Sequence, residues 1–97
     1  MTKVIIESKP NAKGERLCYV EPQTGLVINS KRPTVVTNTP FVKEHISDGR
    51  FDLLASKLPD EASDEEFAEY FKESEGDKEL AVESFVASFN NKDEETL

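Results

Sequence analysis

The residues best equipped for chemistry in this chain are few and stand far apart in sequence. His45 is the only histidine and Cys18 the only cysteine. A thiol nucleophile needs a base within reach, and a histidine base needs a third group to orient it. Glu44 and Asp48 lie beside His45, but Cys18 sits in the run Leu17-Cys18-Tyr19-Val20. That run reads as strand interior, where a cysteine serves as a small buried apolar side chain. No HExxH pair, glycine-rich phosphate loop, CxxC pair or nucleophile elbow is present in the sequence. Acids do gather, at Asp60, Glu61, Asp64, Glu65, Glu66 and Glu69. A calcium loop would alternate its oxygen ligands, turn on a central glycine and close on a bidentate glutamate. This run has none of that spacing. It suits the start of a helix, where carboxylates complement the positive end of the dipole. The expectation is a protein that is not an enzyme and holds no metal or cofactor.

What remains is a surface for binding. Phe67, Tyr70 and Phe71 recur at i, i+3, i+4, and Val82, Phe85, Val86 and Phe89 recur at i, i+3, i+4, i+7. Both patterns mark amphipathic helices. Phe67, Tyr70, Phe71, Phe85 and Phe89 are therefore the candidate partner-binding residues, large apolar faces on helices whose other faces are anionic. Such a face docks into a groove on a protein partner, with the acids steering the encounter. The competing use of the same stripes is packing, on each other or on a sheet, to complete the core. Two short helices seldom bury two full stripes, so both uses are compatible.

The elements that must position these residues follow from turn chemistry and periodicity. Lys3 to Ser8 is β-like, with Val4, Ile5 and Ile6 consecutive. Pro10 to Gly14 is a turn, and Arg16 to Val20 is the next strand. Glu21-Pro22-Gln23-Thr24-Gly25 pairs a proline that presets φ with a glycine that closes a turn. Leu26 to Asn29 returns as the second strand of a hairpin, and Thr34 to Thr37 is a further strand. Thr39-Pro40 starts a two-turn helix over roughly 40–47 that ends at Gly49. Arg50 to Leu54 closes the sheet, with a helix running on through Leu58 as the competing reading. Beyond Pro59, Ser63 and Glu66 form a capping box, and Asp77 begins a second helix that Asn90-Asn91 end. The fold class expected is α+β: a small antiparallel sheet or barrel of four or five short strands with one short helix, then two acidic amphipathic helices. The division expected is a β-rich body over 1–58 that folds alone, marginally; an acidic helical arm over 59–91; and a frayed tail over 92–97.

Charge follows the same division. Residues 1–58 carry nine Lys or Arg against six Asp or Glu, net +3, and residues 59–97 carry three Lys against fourteen acids, net −11. The whole is net −8 at neutral pH, which opposes broad contact with nucleic acid. No apolar run is long enough to span a membrane, and Met1-Thr2-Lys3 lacks the apolar stretch of a signal peptide. A soluble protein of a reducing, cytoplasmic compartment is expected, with protein partners, a second copy among them, and neither nucleic acid nor membrane.

Glu21-Pro22-Gln23-Thr24-Gly25-Leu26, and later Pro40-Phe41 and Ile46-Ser47-Asp48-Gly49-Arg50-Phe51, resemble a pattern in short, uncharacterised tail-operon proteins of Mu-like contractile-tailed phages. That pattern has a DPxTG turn and a closing dG turn followed by an apolar strand. The likeness covers about 35 of the 97 residues. Here a glutamate precedes the proline, the middle is longer, and an acidic arm follows. The resemblance implies a phage or prophage origin and a structural or assembly role against a phage structural protein, in the virion or the host cytoplasm. No catalytic residue carries over. The alternative is an acidic host-directed inhibitor whose arm occupies a basic groove meant for nucleic acid. The net positive charge of residues 1–58 weighs against it.

Overall fold

The computed structural model describes the backbone of residues 2–29 and 31–95, and side chains as far as Phe89. Its elements in chain order are β1 (Lys3–Ser8), β2 (Tyr19–Val20), β3 (Val27–Ile28), β4 (Thr34–Thr37), α1 (Pro40–Ser47), β5 (Phe51–Leu58), α2 (Asp64–Glu73) and α3 (Lys78–Glu95). The fold is α+β. β1 is the middle strand of a three-stranded antiparallel sheet of order β4-β1-β5, and β2 and β3 form a separate two-stranded hairpin. The sheet does not close into a barrel.

Three consecutive β-branched residues make β1 apolar on both sides, which a strand tolerates only when both faces are covered. Both are. Val4 and Ile6 point with Val36 and Phe51 into one cluster, which Ile28 of the hairpin and Val42 of α1 complete. Ile5 points the other way, with Val35 and Leu58, into a cluster completed by Ala62, Phe67, Ala81, Phe85 and Phe89. The molecule is thus three layers: hairpin and α1, then the sheet, then α2 and α3. The acidic arm expected to follow the body is the third layer of the core.

β5 runs as strand through Leu58, which excludes the helical alternative for its second half. Its register against β1 slips twice, between Ile6 and Ile5 and again between Ile5 and Lys3. The first bulge matters for packing. Strict alternation would place Leu54 and Ala55 on opposite faces, whereas both pack against the helical layer here. The second coincides with a left-handed backbone at Lys57, φ 60°, and returns Leu58 to the same cluster.

Helix starts match their sequence signals. The Thr39 hydroxyl accepts the Val42 N–H at 3.4 Å, and Ser63 accepts the Glu66 N–H at 3.2 Å. Asp77 Oδ1 accepts the Leu80 N–H at 3.2 Å. Gly49 stands at φ +81°, the left-handed geometry that lets the chain leave α1 for β5. Two expectations need correction. α3 continues to Glu95, past the stop read at Asn90-Asn91; asparagine costs a helix interior only a few tenths of a kcal/mol. The helix thus occupies the start of the tail placed at 92–97, and Thr96 and Leu97 lie outside the described residues. Cys18 is exposed rather than interior. Tyr19 turns inward onto Phe51, with ring centroids 4.9 Å apart, so the two-residue period sends Cys18 and Val20 outward.

The layering predicts two outcomes. Phe85→Ala, at a fully buried ring, should cost about 3–5 kcal/mol in urea unfolding, a large share of a small domain's stability. Residues 1–58 alone would leave Ile5, Val35 and Leu58 open to water, so this fragment should show no cooperative thermal transition by circular dichroism. A cooperative melt of the fragment would mean that the helical layer is dispensable.

Candidate partner-binding surface

Helical spacing aligns Phe67, Tyr70 and Phe71 on α2, and Phe85 and Phe89 on α3, and the structure turns these stripes toward each other and the sheet. Phe67 and Phe85 are fully buried and Phe89 nearly so. Phe85 lies edge-on to Phe67, Tyr70 and Phe89, with centroids 5.4, 5.5 and 5.1 Å apart, the geometry aromatic quadrupoles prefer. Tyr70 and Phe71 are half-buried at the margin of the same cluster. Of the five candidate residues, Phe67, Phe85 and Phe89 are therefore committed to the core and offer a partner nothing. The reason is the two-sided sheet: Ile5 and Val35 supply the apolar floor on which both stripes are buried.

Charged residues tie the layers together. The Arg32 guanidinium donates to both oxygens of Asp64, Nη1 to Oδ1 at 2.9 Å and Nη2 to Oδ2 at 2.8 Å. Asp64 Oδ1 also accepts the Val35 N–H at 3.0 Å. The Asp64 hydrogen bond raises the Arg32 pKa above its ordinary value; partial burial opposes it and charge attraction adds to it. Asp64 thus caps the edge of β4 as well as opening α2. On the same side of the sheet, Glu7 is buried and accepts from Lys78 Nζ at 2.7 Å and Arg16 Nη1 at 3.3 Å. It stands directly across from Asp52, an unfavourable like-charge pairing, and Lys9 answers Asp52 at 3.8 Å.

Glu21 is the least expected of these groups. Its side chain is fully buried. It folds into its own turn, where Oε1 accepts the Gln23 N–H at 3.1 Å and Oε2 the Thr24 N–H at 2.8 Å. Thr39, the cap of α1, donates its hydroxyl to Glu21 Oε1 at 3.1 Å. Burial pushes this carboxyl up, but the Gln23 and Thr24 amides and the Thr24 and Thr39 hydroxyls outweigh it and hold the pKa below its ordinary 4.5. Thr39 accepts from helix α1 and donates to Glu21, so one hydroxyl joins the hairpin turn to the helix start.

His45 packs among aromatic rings, 4.1 Å from Phe41, 5.0 Å from Phe51 and 5.5 Å from Tyr19 between centroids. Its Nδ1 lies 2.8 Å from the Phe41 carbonyl oxygen. This is packing duty. Among the described residues, no three His, Cys, Asp or Glu side chains gather so as to hold a metal ion. Among the described residues, no helix is long and apolar enough to cross a membrane.

What the surface offers is charge and scattered apolar side chains, Leu17 and Leu80 among them. Glu65, Glu66, Glu69 and Glu73 on α2, and Glu79 and Glu83 on α3, are exposed. Lys9, Lys13, Arg16, Lys31, Lys43 and Arg50 are exposed on the segments around the hairpin and α1. The cross-strand pair Val20 and Val27 lies open on the hairpin, and Leu53 on β5. A groove of about 410 Å³ between β5 and α3 is lined by Asp52, Leu54, Lys78, Glu79, Val82 and Glu83. Searched against protein-family models, curated proteins and solved structures, the chain matches none of them.

Glu21 generates a pH prediction. A carboxyl whose folded pKa is lowered contributes stability that is fully present above its unfolded value, near 4.5. That stability is lost as pH falls through the lower folded value. Glu21→Gln should therefore lower the urea midpoint at neutral pH and flatten the acid limb of the stability profile. An acid limb unchanged from the parent chain would show that Glu21 is not its source.

Proposed function

We propose that this chain is a non-enzymatic contact protein, a small structural or assembly component that works by binding other proteins. The observation that carries the reading is the separation of exposed charge across the sheet. Carboxylates cover the α2–α3 layer, and most exposed cations lie on the hairpin and α1 side. With Phe67, Phe85 and Phe89 spent on the core, docking falls to this rigid anionic face. Its complement is a basic protein surface, recognised by charge pattern and reached by electrostatic steering. The tail-operon resemblance in the hairpin turn and the Gly49 turn supports a phage or prophage setting, with the partner a phage structural protein in the virion or host cytoplasm.

A host-directed inhibitor that covers a basic, nucleic-acid-binding surface is the second reading. The exposed acids favour it, since they sit on two packed helices at fixed spacing. The cations of the opposite layer count against it, because they would meet the same nucleic acid the inhibitor displaces.

Deleting the gene from its source genome and imaging the particles decides between them. The proposal expects malformed or fewer particles, and the protein in purified wild-type particles. Well-formed particles that lack the protein would refute it. In either setting the contact should be salt-sensitive. Raising salt from about 50 to about 500 mM should weaken binding at least tenfold. The triple variant Glu69→Gln, Glu73→Gln, Glu83→Gln should do the same with its melting unchanged.

A further inference from the structure

A groove and an open strand edge lie side by side on this molecule. The groove of about 410 Å³ between β5 and α3 falls within the size range of ligand pockets. Its walls include the half-buried Leu54 and Val82, with Asp52, Glu79 and Glu83 exposed around them. β5 is the outer strand of its sheet. Its first three residues stand in regular register with Ser8, Glu7 and Ile6, and the bulges begin only beyond Leu53. Among the described residues no strand pairs with the outer side of this stretch. Such an edge presents donors and acceptors that an extended peptide satisfies.

The charges of the groove do not cancel. Lys78 lines it too, but is committed to Glu7 at 2.7 Å. Asp52 has Lys9, 3.8 Å away and itself half exposed. Among the described residues Glu79 and Glu83 take part in no ion pair. They stand at i and i+4 on α3, where like charges repel and destabilise the helix. A cation held near both would relieve that repulsion.

The lining says which cation. Apolar walls beneath carboxylates suit a charge on a long aliphatic stem, because such stems lie along apolar surface while the head stays in water. Lysine has the stem, and its ammonium turns three donors toward separate acceptors. An arginine fork matches a single carboxylate in its own plane. Asp52 shares the helical side of the sheet with Glu7, which Lys78 of α3 reaches. In a strand added to β5, the residue opposite Asp52 therefore points toward the groove, and a lysine there makes an opposite-charge cross-strand pair.

We infer that the first half of β5 and the groove beside it seat an extended, lysine-bearing segment of the partner protein. The segment pairs with Phe51–Leu53, its lysine stands opposite Asp52, and the stem runs along Leu54 and Val82 toward Glu79 and Glu83. The inference rests on the proposed docking of the anionic face to a basic protein, and names the side chain that anchors it.

The probe is the peptide acetyl-Val-Thr-Lys-Thr-Val-amide, titrated at low salt into the isotope-labelled full chain and followed by amide NMR. Shifts should centre on Leu53, Leu54, Glu79, Val82 and Glu83, with a Kd on the order of 1 mM. Acetylating the lysine removes the charge, and methylating both threonine amides blocks the pairing; each should weaken binding at least roughly fivefold. Glu79→Gln with Glu83→Gln should weaken it roughly tenfold, with the thermal melt unchanged. Glu69→Gln with Glu73→Gln, on α2 and outside the groove, should leave it as it was. Shifts spread evenly over the exposed acids of both helices would overturn the seat and leave a basic partner for the face as a whole. Equal binding of the acetylated or the methylated peptide, equal binding of free cadaverine, or no shift up to about 10 mM peptide would overturn it as well. The particle test above bears on the functional reading alone, so the two fail separately.

Discussion

Burial of β1 on both faces is the constraint from which the rest of the architecture follows. A strand with Val4, Ile5 and Ile6 in succession has no side to give to water, so the chain must supply two covers. The hairpin and α1 supply one, through Ile28 and Val42. α2 and α3 supply the other, through Phe67, Phe85 and Phe89. Each cover is too small to bury its own apolar face, and each becomes stable only against the sheet. The protein therefore has two small cores separated by one strand, and a loss in either is felt by the other through Ile5 and its neighbours.

This accounts for where the polar residues sit. Layers held only by apolar contact would slide, and the structure pins each at a fixed point. Arg32 and Asp64 hold α2 to the start of β4, and Lys78 and Glu7 hold the start of α3 to β1. Each pair is partly buried, and Arg32 to Asp64 is bidentate, so direction as well as attraction is specified. Glu21 and Thr39 do the same between hairpin and α1. The hairpin and α1 are thus linked to each other by hydrogen bonds to a carboxylate, and the α2–α3 layer to the sheet by ion pairs.

Much of the element order was legible in the sequence because turn residues and helical periodicity are local signals. Ser63 with Glu66, Asp77, and Thr39 before Pro40 all mark helix starts where the structure has them. The phenylalanine spacing marked amphipathic faces but could not say what they face, since a stripe looks the same against a sheet or a partner. β1 is the missing information: its run of three apolar residues, Val4-Ile5-Ile6, indicates two covered faces, and the amphipathic stripes of α2 and α3 are the apolar surfaces that cover the second. Cys18 was misread because Leu17 to Val20 is continuously apolar, while its strand is a short outer ladder in which Tyr19 alone turns inward. Glu7 and Lys78, or Arg32 and Asp64, lie far apart along the chain and have no local signature. Glu21 carried a turn signal but no sign that its carboxylate is internal.

The Glu21 turn has one consequence for anyone who alters this protein. A hairpin tip is the usual place to splice in an epitope or a fluorophore, because most tips touch nothing. This one is anchored from within: its carboxylate receives the hydroxyl that also holds the Val42 amide in the first turn of α1. Lengthening the chain between Glu21 and Thr24 would pull that acceptor away and fray a helix elsewhere in the fold. The turn at residues 11–15 is closed by Asn11 bonding to its own neighbours and leaves every side chain in solvent. Foreign residues are better placed there.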